Sequence, residues 1–100
     1  MIRGTTPTHI FNLPIETEQI KEIKIIYAQN DEILLCKKRE DCELDGKTVV
    51  VKLTQDETFL FDCKKPVQIE VRALLDNGVA LKSPIELIDV GKCLDNEVLQ

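Results

Sequence analysis

The chain has 100 residues, enough for one domain with a single modest core, and residues 94–100 read as a short C-terminal tail to that domain. Its net charge of -5 and pI near 4.8 argue against nucleic acid as a partner, because phosphate binding rests on clustered Lys and Arg. No apolar run approaches the roughly 20 residues that span a bilayer, so no membrane partner is expected.

Along the chain, Thr5–Leu13 reads as a first strand. Pro7 cannot donate to a ladder, which sends this strand to a sheet edge, and Pro14 ends it. Residues 15–29 carry two patterns. Ile20, Ile23, Ile26 and Tyr27 fit helical spacing, whereas Ile23, Ile25 and Tyr27 alternate as a strand. The β-branched and aromatic run at 23–27 favours a pleated surface, so the expectation is a turn over Thr17–Gln19 and a strand over Ile20–Gln29. Asn30-Asp31 then turns the chain into Glu32–Lys38, with Ile33 and Leu35 expected inward. The charged cluster Lys37–Asp41 reads as a solvated hairpin end.

Asp45-Gly46 marks another turn, and Thr48–Leu53 follows, apolar on both faces at Val49–Val51 as befits a strand inside a sandwich. Thr54-Gln55-Asp56-Glu57 fits the capping-box pattern, in which Thr and Glu side chains satisfy amides that a helix start leaves bare. One helical turn is expected near Thr54–Thr58, with Phe59 or Leu60 plugging the end of the core. Pro66–Leu75 is the clearest strand: Val67, Ile69, Val71 and Ala73 share one side, and Gln68, Glu70 and Arg72 share the other, as a solvated sheet surface. Asp76-Asn77-Gly78 supplies a hairpin turn into Val79–Lys82. Ser83-Pro84 bends the chain into a last strand over Ile85–Val90. In the tail, Leu94, Val98 and Leu99 are available to pack on a neighbour. About seven short strands with turns every 8–12 residues predict an all-β fold, a small antiparallel β-sandwich.

The search for chemistry returns no catalytic, cofactor-binding or metal-binding residue. His9 is the single histidine, and it falls on the predicted edge strand. Cys36, Cys42, Cys63 and Cys93 include no C-x-x-C pair and read as reduced thiols, with Cys36 and Cys42 the one pair that flanks a common hairpin. An enzyme or regulator working through Cys63 or Cys93 would need an unusually reactive thiol, and thiols without basic neighbours stay near a pKa of about 8.5. No enzyme, cofactor or metal is therefore expected. Met1–Thr5 lacks the apolar core of a signal peptide, so the chain is expected to be intracellular, or at least made in a cytoplasm.

Several stretches together resemble short proteins encoded in prophages of Gram-positive bacteria. They are Arg3–His9 with Phe11 and Leu13-Pro14, then Tyr27-Ala28-Gln29, then Leu53–Thr58, then Val90-Gly91-Lys92 with Leu94 and Glu97-Val98. These proteins are more distantly similar to the N-terminal immunoglobulin-like module of phage baseplate upper proteins. The resemblance implies a non-enzymatic virion structural protein of the tail or baseplate. It implies other phage structural proteins as partners, or a second copy of the chain, met through sheet edges or termini. A head-associated decoration protein is a variant of that reading. A carbohydrate- or cell-surface-binding sandwich is the alternative, which the scarcity of aromatic residues disfavours.

Overall fold

The computed structural model describes residues 1–100. Eight strands form two antiparallel sheets: β1 (Thr8–Asn12), β2 (Ile20–Gln29), β3 (Glu32–Lys38), β4 (Cys42–Asp45), β5 (Thr48–Lys52), β6 (Val67–Leu75), β7 (Ala80–Lys82) and β8 (Glu86–Ile88). A three-stranded sheet runs β1-β5-β4. A five-stranded sheet runs β3-β2-β6-β7, with β8 also on β6. β8 pairs with Val67–Ile69 and β7 with Arg72–Leu74, so the two short strands share one edge of β6. The fold is a small all-β sandwich. Its one α-helical segment, α1 (Gln55–Thr58), is a single turn, and no helix is long and apolar enough to cross a membrane.

Alternation builds the core. Val49, Val51 and Leu53 from one sheet meet Ile23, Ile25, Tyr27, Val67, Ile69 and Val71 from the other, with Phe61 closing one end. β6 is central, flanked by β2 on one side and by β7 and β8 on the other, as its strict two-residue period led us to expect.

Two bulges explain the ambiguous second strand and correct the third. In β2 the register on β6 slips between Ile20 and Glu22, which puts Ile20 and Ile23 on the same inward face although they are three apart. That slip is the source of the apparent helical spacing. In β3, Tyr27 faces Leu35 but Ala28 faces Ile33, so Leu34 is an extra residue. Ile33, expected inward, therefore lies on the outer face and is 62% exposed, while Leu35 remains inward and half-buried.

Further expectations need correction. The first strand is shorter than Thr5–Leu13, because Gly4 at φ 79° opens a turn in which both the amide and the hydroxyl of Thr5 donate to the Ile2 carbonyl. The last strand ends at Ile88, since the N-terminal segment takes over beyond it. The Met1 ammonium donates to the Asp89 carbonyl, and Ile2 bridges Gly91 in parallel. The core is plugged by Phe61, whereas Phe59 is half-buried and Leu60 is exposed. An eighth strand, β4, follows the charged cluster; its Cys42 and Leu44 lean inward, and Glu43 and Asp45 face out.

Three buried polar side chains tie loops to this frame. Gln29 donates to the Asp62 and Lys65 carbonyls and accepts from the Asp62 amide, fixing the connection before β6. Thr58 donates to the Thr5 carbonyl and accepts from the Gly4 amide, and Thr17 donates to the Gly46 carbonyl.

Candidate functional site

Polar groups gather between the sheets around Tyr27. His9 Nδ1 lies 2.7 Å from the Tyr27 hydroxyl. Burial, with Cys42 and Glu57 nearby, pushes the Tyr27 phenol well above its usual range, so it keeps its proton. Burial and the Met1 ammonium hold His9 below its ordinary value, which favours the neutral imidazole. Nearby, Lys37 and Glu57 form an ion pair at 2.5 Å. Burial alone would raise the Glu57 carboxyl, but hydrogen bonds from Lys37 and the Thr54 amide outweigh it and set it below the usual range. Lys37 is thus no solvated hairpin end. It points inward beside Ile25 and caps the core.

This cluster bridges the two sheets through the His9–Tyr27 contact. Burial raises the Cys42 thiol, with Asp41 and Glu40 adding to the effect and Lys37 opposing it, and the thiol donates to the Lys38 carbonyl. Cys36 and Cys42 sit on strands of different sheets as free thiols. Cys93 donates to the Asp95 carbonyl, and Cys63 is half-buried beside the core. No three His, Cys, Asp or Glu side chains come together as a ligand set. Tyr27 and Phe61 are buried, and Phe11 and Phe59 are half-buried.

The opening in the sandwich lies beside β1. Pro7 and Leu13 bond β5 through the Leu53 and Leu13 amides, so by antiparallel alternation His9 and Phe11 also turn their backbone groups to β5. Thr8, Ile10 and Asn12 turn theirs to a free edge. No hydrogen bond from elsewhere in the chain reaches these groups. Below the edge is a cleft of about 610 Å³. Its walls are His9, Phe11 and Leu13, and its floor is Ile69, Val71 and Ile88, with Met1, Ser83 and Glu86 at the rim. The three-stranded sheet stops one strand short of covering the five-stranded one. A further strand about 4.8 Å beyond β1 would sit about 10 Å above β6 and β8, the ordinary spacings of a packed sandwich.

The chain matches no family model, no curated protein and no solved structure.

Sequence reading placed His9 on an edge strand, and the structure puts it there, but as the wall of the cleft and the partner of Tyr27. Of the outward face of β6, Gln68 is bonded to Asp31 and Glu70 to Lys82, so both are half-buried and only Arg72 stands free in solvent. In the tail, Leu94 is 92% exposed, and the Gln55 side chain clasps the Leu99 backbone with two hydrogen bonds. The cleft had one signal in sequence, Pro7 as an edge marker. Its floor comes from residues more than fifty positions away.

Proposed function

We propose that the chain is a non-enzymatic structural protein of a phage virion, a tail or baseplate component that assembles by accepting an extended strand on β1. The observation that carries the assembly mode is the free edge of Thr8, Ile10 and Asn12 standing beside a cleft that their own sheet does not fill. Backbone groups along such an edge supply affinity, and alternate side chains of the incoming strand drop into the cleft. The segment that fits is a lone extended stretch of another virion protein with aliphatic residues at every second position. A second copy entering through its own β1 would bring its five-stranded sheet into the place of β7 and β8. The phage context comes from the sequence resemblance alone.

Virions purified from an induced prophage and analysed by mass spectrometry should contain this chain. Its absence from them removes the virion reading. Ile10→Pro tests the edge separately. The Ile10 amide faces the free side, where a proline is tolerated, so the fold should persist while incorporation is lost. Full incorporation of a folded Ile10→Pro protein would show that β1 is not the docking edge.

A further inference from the structure

The cleft beside β1 does not close at Asn12. Past that residue the space between the sheets opens into a second depression of about 380 Å³. Asn12, Leu13, Val71, Ser83 and Glu86 line both, so the two are continuous. Leu13 and Ile15 form one wall of the second depression, Ala73 and Leu81 the other, and Pro14 and Pro84 stand at its lips. Its origin lies in the inward face of β6, where Val67, Ile69, Val71, Ala73 and Leu75 alternate and Ala73 is the small member. Leu81, directly opposite Ala73 on β7, faces the same way and is 37% exposed.

Register puts this depression in line with the docking edge. β1 and the residue after it turn His9, Phe11 and Leu13 into the cleft, and β6 answers with Ile69, Val71 and Ala73. A strand added to β1 carries its inward side chains beside those of β1, about 4.8 Å away. The side chains beside His9 and Phe11 enter the cleft. The one beside Leu13 meets the second depression. The backbone ladder weakens at the same place, because the next position on the free edge after Asn12 is Pro14, which has no amide to donate. Packing, more than backbone pairing, must therefore hold that end of an incoming segment.

We infer that the second depression takes a large apolar side chain, aromatic or long aliphatic, from the segment docked on β1, and that it selects partners by that residue. The inference rests on the strand-accepting reading of β1 and adds a specific requirement to it. An apolar cavity of about 150 Å³ holds a benzene ring, so the space here suffices for a phenyl or an indole. The walls suit such a group. The Ser83 hydroxyl is already engaged, accepting from the Val71 amide and donating to the Pro84 carbonyl. The other polar members of the lining, Asn12, Lys82 and Glu86, are exposed at the rim. A side chain seated there covers Leu13 and Leu81, which the isolated fold leaves open to water.

The chain contains no tryptophan, so an indole brought by a partner reports its own surroundings. The probes are short synthetic peptides alternating Val with Thr, with each Val in turn replaced by Trp. Calorimetry reads their affinity, and fluorescence reads the indole. Trp at the position lying beside Leu13 should tighten binding by about tenfold or more over the Val-Thr parent and shift the emission to the blue. Ala73→Leu, which fills the depression, should abolish that gain and leave the affinity of the parent peptide unchanged. Leu81→Gln, on the exposed β7, makes the same test should Ala73→Leu fail to fold. N-acetyltryptophanamide alone should shift the Ala73 and Leu81 methyl signals in NMR spectra of the wild type. Peptides that bind with no gain from Trp at any position overturn the inference and leave β1 as a docking edge. If the free amide still shifts those methyls, the occupant is then a small apolar ligand. A gain that survives both Ala73→Leu and Leu81→Gln overturns the inference as well. Failure of every peptide to bind removes the strand-accepting reading, and the inference with it.

Discussion

At the scale of residues, His9 and Glu57 set how the fold answers to acid. His9 is held below its usual pKa of 6.5, chiefly by burial and then by the Met1 ammonium. The unfolded chain therefore binds this proton more readily than the folded one, and stability falls as pH drops below about 6.5 until the depressed folded value is passed. Glu57 is also depressed, so its contribution is present above its unfolded pKa of 4.5 and lost as pH falls through the folded value. The melting temperature should decline from pH 7 to pH 5, and the declines from the two groups should be separate. His9→Gln should flatten the part near pH 6. An imidazole titration by NMR with a midpoint at or above 6.5 would contradict the account. None of this was readable from sequence, which placed His9 on an edge strand but could not show the buried phenol beneath it.

At the scale of elements, local signals worked where the physics is local. The capping box at Thr54 is formed in both directions: the Thr54 hydroxyl accepts from the Glu57 amide, and the Glu57 carboxylate accepts from the Thr54 amide. Thr54→Ala should destabilise the fold by about 1 kcal/mol in urea titration, and Thr54→Ser should restore most of that. The Asp76–Gly78 turn closes as expected, with Gly78 at φ 87° and the Leu75 amide donating to the Val79 carbonyl. β4 was missed although Cys42-Glu43-Leu44-Asp45 alternates, because four residues carry a weak period and the charged cluster before them hid it. The bulges in β2 and β3 were missed for a different reason. A slip in register exists only relative to a partner strand, and one chain segment read alone has no partner.

At the scale of the whole molecule, the two sheets depend on a core whose members come from every part of the chain. Leu53 is 1% exposed between them, so Leu53→Ala should cost about 2–5 kcal/mol in chemical denaturation. Leu94→Ala, in the exposed tail, should change stability by less than about 0.5 kcal/mol. Sequence by itself determined the all-β class, the central place of Val67–Leu75, the hairpin at its end and the helical turn at Thr54. Each of these follows from side-chain period or turn chemistry within a few neighbouring residues. Tertiary structure alone decided which edge stays bare and what floor lies under it. The cleft joins Phe11 to Val71, and the depression beyond it joins Leu13 to Ala73 and Leu81. Those neighbours are chosen by strand order and register, which long-range burial sets and no local pattern encodes.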